Sequence, residues 1–370
     1  MENPVYMDHN ATTAVRPAVK DAALRALELT GNASSVHGSG RAARKMMEDA
    51  REKVAALVGA RPEDVVFTSG GTEANNQALQ CSDRTRVLVS AAEHVSVLKA
   101  VPEPEIIAVD ADGIVDLGAL DAMLGENTAP ALVSVMLANN ETGVIQPVAE
   151  VAAIARGHGA LVHCDAVQAA GRIPVDIKAL GVDFMTLSAH KIGGPQGVGA
   201  LVLADGTTVS PQIQGGGQER GRRAGTENLP GIAGFGAAAE AALDGLSGFG
   251  ALSVLRGRLE EALSAHPGVR IFGGGATRLA NTSLVSMPGV EAEQQIIALD
   301  LAGFAVSAGS ACSSGKVEPS HVLAAMGVAE DEAATAIRVS LGWNSTENDV
   351  ERFIGAWEEV LARAGEDAAA

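Results

Sequence analysis

Apolar residues fall in short blocks between residues 65 and 203, separated by stretches with a helical period. The blocks Val65–Ser69, Arg86–Ser90, Glu105–Val109, Ala131–Leu137, Ala160–Asp165, Phe184–Ser188 and Val198–Leu203 read as buried strands. Glu73–Gln80, Leu117–Leu124 and Val148–Gly157 read as helices between them. Strands alternating with helices predict βαβ units and a mostly parallel sheet covered on both faces. Ligands of such sheets bind beyond the carboxyl ends of the strands, so the residues just after each strand come first for function.

From about Leu229 the pattern changes. Helical stretches at Pro230–Asp244 and Phe249–Ala265 precede strand-like Val269–Phe272 and Thr282–Met287, then helical Glu291–Leu301. Strand-like Ala336–Leu341 and a last helix over Glu347–Ala364 follow. This mixture predicts a second, α+β domain and a frayed tail over Ala364–Ala370.

Composition narrows the class. The 370 residues are 47% apolar, enough for a substantial core. A net charge of −18 and 3% aromatic residues disfavour nucleic acid as a partner. Cys81, Cys164 and Cys312 are too scattered for a disulfide framework, and no CxxC pair marks a zinc site. The start Met1-Glu2-Asn3-Pro4 lacks a signal peptide, and no apolar run reaches the length of a membrane span. A cytoplasmic enzyme is the expectation.

Three strand-end sequences and one later segment could carry chemistry. Gly70-Gly71-Thr72-Glu73 joins a strand to a helix whose N-cap reads as Thr72. Unpaired N–H groups and the helix dipole there suit a phosphate, though an ordinary capped helix reads the same way. Asp165 ends a strand and suits a ribose, a metal or a protonated ring nitrogen; it also suits a helix cap. His163 and Cys164 adjoin it but point to opposite faces, which leaves Cys164 as a core residue. Lys191 follows a buried strand inside a glycine-rich loop, where a lysine of lowered pKa can form a Schiff base. Cys312 lies among small polar residues, Ser310-Ala311-Cys312-Ser313-Ser314, a setting that favours a reactive over a structural thiol.

Other motifs carry less. Ser188-Ala189-His190-Lys191 fits S-x-x-K without the companion motifs of a β-lactamase. Gly234–Ala239 fits G-x-G-x-x-A inside a helical run rather than after a strand. Gly309–Lys316 has the wrong spacing for a phosphate-binding loop.

These stretches together resemble a cysteine desulfurase of the NifS/IscS type, a fold-type I enzyme of the class V aminotransferase family. The resemblance runs through Asp8-His9-Asn10-Ala11-Thr12-Thr13, His37-Gly38-Ser39-Gly40-Arg41, Gly71-Thr72-Glu73 and Glu93-His94. It continues at Asn139–Gly143, Asp165–Gln168, Ser188–Lys191, Gly215–Arg220 and Gly225–Asn228, and ends at the Cys312 segment and Arg338–Gly342.

The resemblance implies a large pyridoxal 5′-phosphate domain over residues 15–250 with a seven-stranded, mostly parallel sheet. It implies a small α+β domain over residues 1–14 and 251–370. Lys191 would hold the cofactor covalently and move the substrate Cα proton. Asp165 would pair with the ring nitrogen, Gln168 with the phenolic oxygen, and His94 would stack on the ring. Gly71, Thr72, Ser188 and His190 would hold the phosphate, with Thr226 lent by the partner of a homodimer. Asn140, beside the cofactor, and Arg338 would hold the carboxylate of L-cysteine. Cys312 would take its sulfur as a persulfide, release L-alanine, and pass the sulfur to an acceptor such as an iron–sulfur scaffold.

Selenocysteine cleavage, amino transfer, or a non-catalytic place in an assembly complex are the competing roles. The acceptor stays open among iron–sulfur assembly, nitrogenase maturation and tRNA thiolation. His9 stands where Asn, Tyr or Ser is commoner, and Gly193 and Gln196 replace a frequent Tyr and Lys. These departures bear on the substrate entrance and on cofactor affinity.

Overall fold

The computed structural model describes residues 4–309 and 319–369, with backbone alone over 365–369. Seven strands form the main sheet in the order Val65–Thr68, Gly199–Leu203, Phe184–Ser188, Leu161–Asp165, Ala131–Ser134, Arg86–Ser90, Glu105–Ile107. All pairs are parallel except those of Gly199–Leu203, which runs antiparallel to both neighbours. Both faces are covered, as the near-continuous apolar strands require. Phe67, Leu88, Val133, Cys164 and Met185 face one core, and Val66, Val89, Leu132, Phe184 and Leu201 face the other.

Helices Pro17–Glu28, Gly38–Leu57 and Leu229–Asp244 pack together on the first core. Gly38–Leu57 buries Ala43, Met47, Ala50, Val54 and Leu57, a stripe at helical spacing, and the His37 ring caps its first turn from Gly40 N at 3.2 Å. Leu229–Asp244 starts from the Asn228 amide oxygen, which accepts from Gly231 N at 3.1 Å.

A three-stranded antiparallel sheet has the order Ser307–Ala308, Ala336–Ser340, Thr282–Ser286. Its core gathers Leu259, Leu263, Met287, Leu299, Phe353 and Trp357. Val5 and Met7 belong to that same core, because strand Val5–Tyr6 pairs in parallel with Phe304–Ala305. The first and last parts of the chain therefore share one body. Among the described residues, no helix is long and apolar enough to cross a membrane.

Several boundaries differ from the sequence expectation. The edge strand stops at Ile107, since Val109 bridges Val115 across a turn. The apolar run after Ser134 leaves the ladder, although Val135 N and Leu137 N still donate to His163 O and Asp165 O. Helix Gly71–Gln80 begins one residue before Thr72, so Gly70 and not Thr72 is its cap. Val269–Phe272 is not a strand; only Ile271 pairs, with Val285. The stretch expected as one helix from Phe249 is split into Leu246–Gly250 and Leu252–Ser264. The last helix does not end at Ala364: Val350, Phe353 and Trp357 seat it, and it runs from Glu347 to Ala369.

Candidate active site

A cavity of about 360 Å³ opens at the carboxyl ends of the parallel strands. Gly71 and Thr72 reach it from the first turn of their helix, His94 from the turn after Arg86–Ser90, and Asn140 from the turn after Ala131–Ser134. Asp165 and Gln168 come from the end of Leu161–Asp165, and Ser188, His190 and Lys191 from the end of Phe184–Ser188. Arg338, from the smaller sheet, and Asn10 and Ala11, from the N-terminal segment, complete the lining. Ten of the residues read from sequence as site residues thus meet in one place.

Asp165 is held by two donors: Asn75 Nδ2 at 2.8 Å to one oxygen and Val167 N at 2.9 Å to the other. Asn75 also donates to Ser96 Oγ at 2.9 Å, which ties the aspartate to the turn of His94. His94 caps the short helix Val95–Leu98; its Nδ1 accepts from Ser96 N at 3.1 Å. A ring nitrogen that accepts leaves the proton of the neutral ring on Nε2. His163 is no metal candidate here: its nitrogens meet Ser134 Oγ at 2.8 Å and Thr186 Oγ1 at 2.9 Å.

Lys191 sits in the helical turn Ala189–Lys191, and its Nζ donates to Asn10 O at 2.5 Å and Ala11 O at 2.8 Å. Asn10 O also accepts from Gln168 Nε2 at 2.9 Å. The Asn10 side chain donates to Asn140 O and to Thr282 Oγ1, each at 3.0 Å, and accepts from Arg172 at 2.6 Å. Asn10 is the hub that joins the lysine, the glutamine and the smaller sheet. Sequence reasoning quoted its motif and gave it no role; a backbone carbonyl leaves no mark in residue type.

The Asn139–Gly143 turn is built by one amide. Asn139 Oδ1 accepts from Glu141 N and Thr142 N, each at 2.9 Å. Gly143 closes the turn at φ +75°, and a Cβ there would lie 2.8 Å from Thr282 Cβ, so only glycine fits. The turn presents Asn140 O to Arg338 Nη1 at 3.1 Å, while Asp8 Oδ1 accepts from Nη2 at 2.7 Å. Asp8 orients the arginine and was also missed from sequence.

Electrostatics follow from burial. Burial, with Lys191 and Arg172 adding to it, pushes the His190 ring down to about 4. Burial lowers His94 against the opposing pull of Asp165. Glu93 is wholly buried and raised well above the carboxylate range; Met136 N donates to it at 2.6 Å. Arg172, wholly buried, is pushed down to about 9, with Arg338 adding to the desolvation. Among the described residues no carboxylate pairs with Arg172, which donates to His9 O and Asn10 Oδ1 instead.

Thr226 is not in this cavity. It lines a separate one with Thr68, Ser69, Gly197 and Asn228. Cys312 lies outside the described residues. The departures also find places: His9 is buried, with Nδ1 against Thr13 Oγ1 at 2.5 Å and Nε2 donating to Tyr6 O at 3.1 Å. Gly193 adopts φ +86° and packs on Arg16.

The sequence matches the family described as aminotransferase class-V over residues 5–353. A protein of Cereibacter sphaeroides named cysteine desulfurase is 44% identical over 366 residues, covering 95% of this chain and 94% of its own. The structure of a NifS-like protein from Rickettsia africae superposes with a TM-score of 0.90 at 40% identity, covering 97% of this chain and 99% of that one. SspA, solved in complex with cysteine, gives a TM-score of 0.78 at 28% identity, covering 91% of this chain and 98% of its own. A fold, a strand-end cavity and relatives spanning nearly the full length agree: the chain belongs to the aminotransferase class-V family and, within it, to the cysteine desulfurases.

Proposed function

We propose that this chain is a pyridoxal 5′-phosphate-dependent cysteine desulfurase that converts L-cysteine to L-alanine and loads the sulfur onto Cys312. The observation that carries the reading is the single cavity in which Lys191, Asp165, Gln168, His94 and Arg338 converge. The cavity suits the cofactor. Among the described residues, Gln168 Oε1, His190 Nδ1 and Arg338 Nε are buried there without a partner, which is costly unless a polar ligand supplies one. The first turn of helix Gly71–Gln80 offers its N–H groups and positive dipole end to a phosphate, with Thr72, Ser188 and His190 beside it.

When bound, the cofactor supplies an electron sink that acidifies the Cα–H of the attached amino acid. Asp165, fixed by Asn75 and Val167, would hold a proton on the ring nitrogen. Gln168 would bond the phenolic oxygen, and His94 would cover the ring. Lys191 Nζ would hold the cofactor and then move the proton at the substrate Cα. Arg338, oriented by Asp8 and the Asn140 carbonyl, would hold the substrate carboxylate. Cys312 Sγ would take the substrate sulfur as a persulfide, the Cβ left behind would gain a proton, and L-alanine would leave.

Several broader features belong to the same reading. Residues 15–250 form the cofactor domain, and residues 1–14 with 251–370 form the small domain; the cluster on one face of the main sheet draws all its buried residues but Leu279 from the first range, and the cluster under the smaller sheet draws its buried residues from the second, which supports this. Thr226 lines a cavity other than that of Lys191, and it would serve the cavity of a second copy in a homodimer. The acceptor of the sulfur is a protein such as an iron–sulfur scaffold, and the setting is cytoplasmic. The test is direct. Purified protein with the cofactor is yellow and forms alanine from L-cysteine. Lys191→Ala abolishes turnover and Cys312→Ser keeps the colour but loses the persulfide. Turnover by Lys191→Ala would overturn the reading.

A further inference from the structure

Glu141 has no part in the chemistry above, yet it is 1% exposed. Its Oε2 accepts from Ser320 Oγ at 2.6 Å. The same oxygen rests on Gly309, where a Cβ would overlap it. In sequence, Gly309 directly precedes residues 310–318, Cys312 among them, and Ser320 follows them after Pro319. One carboxyl oxygen therefore touches both stems of the reactive-cysteine segment.

Each stem is in turn fixed to the cavity. Gly309 leaves strand Ser307–Ala308, in which Ser307 lies opposite Arg338. Ser320 Oγ accepts from Leu323 N at 3.1 Å and so starts helix His321–Ala325. His321 Nε2 donates to Glu93 O at 2.8 Å, next to His94. Glu141 is held from behind by Asn139, and it follows Asn140, whose carbonyl orients Arg338.

We propose that Glu141 is a positioning residue for sulfur transfer: its carboxyl sets the separation of the two stems that carry Cys312. The inference rests on the desulfurase reading above. Cys312 is three residues beyond Gly309 in sequence, so the reach of its sulfur depends on where that stem sits. Misplacement by about an ångström can cost two orders of magnitude in rate. Burial raises the Glu141 carboxyl against the Ser320 hydrogen bond, and the amide of a Gln keeps an oxygen that can accept from Ser320.

The test measures alanine formation by the holoenzyme over a range of L-cysteine with a thiol reductant present. It also follows persulfide on Cys312 in a single turnover by mass spectrometry. Glu141→Ala is expected to lower kcat and the single-turnover rate about tenfold or more, with KM within about twofold and the cofactor absorption band unchanged. Glu141→Gln, which keeps an oxygen for Ser320, stays within about threefold of wild type. Gly309→Ala matches Glu141→Ala, and the double variant falls no further than either alone, because both act through one contact. A wild-type single-turnover rate in Glu141→Ala, a loss carried by KM, or a Gln variant as slow as Ala would each overturn the proposal. Should Glu141→Ala fail to fold, an undiminished rate in Gly309→Ala overturns it instead. A wild-type enzyme inactive on L-cysteine fails the underlying reading, and this inference with it.

Discussion

Asn10 and His163 show how single buried residues hold this site. Replacing Asn10 with Ala strips Arg172 of its 2.6 Å acceptor inside the protein. A charged donor left unpaired there is expected to cost about 2–3 kcal/mol, read as a lower urea midpoint at unchanged slope. His163 acts through pH. Burial pushes its ring down to about 4, whereas the unfolded chain takes that proton near 6.5. The unfolded state binds more protons across this interval, so stability is full above 6.5 and is lost as pH falls toward 4. The expected loss from this residue is about 3 kcal/mol, and a His163→Gln variant should show a shallower pH slope of unfolding free energy there. Lys191 and Asp165 were legible in sequence because strand ends in an alternating chain announce themselves, whereas His94 was named only through the family resemblance. Asn10, Asp8 and Glu93 were not. Their roles lie in a carbonyl, in orienting an arginine, and in a buried hydrogen bond, and each is made by contacts distant in sequence.

At the scale of elements, turn chemistry decides more than propensity. The Asn139–Gly143 turn places Asn140 O on Arg338 only because Gly143 can adopt φ +75°. Gly143→Ala is expected to cost about 2 kcal/mol from strain and from contact with Thr282. If the turn moves, the arginine loses its guide, so KM for L-cysteine should rise by a larger factor than kcat falls; steady-state kinetics check this. Apolar periodicity found the seven strands of the main sheet, with Arg86–Ser90 and Phe184–Ser188 to the residue, but misplaced ends of the other five. Val135 and Leu137 continue the apolar run by bonding to carbonyls at the strand ends rather than to a ladder. Thr72 looked like a cap because its side chain is right for one, whereas Gly70 O already accepts from Ala74 N at 3.2 Å, which starts the helix earlier.

At the scale of the molecule, the N-terminal segment is a strap. Strand Val5–Tyr6 pairs with Phe304–Ala305, Asp8 holds Arg338, and Asn10 holds Lys191. Deleting residues 1–14 should leave the seven-stranded sheet folded, as far-ultraviolet circular dichroism would report. It should lower the melting temperature and weaken cofactor binding at least about tenfold, since Lys191 and Gln168 lose a shared acceptor. A deleted chain that binds the cofactor like the full one would show that the strap is dispensable.

That strap also sets a timetable. Val5 finds its partner only when Phe304 has been made, and His9 N finds Ser340 O later still. At 5–20 residues per second, Phe304 follows Val5 by about 15–60 s. Throughout that interval the first residues wait without their strand, and Lys191 emerges with its carbonyl acceptors not yet fixed. The nascent chain can build its seven-stranded sheet earlier, but the finished cavity waits until Phe304 and Ser340 have been made.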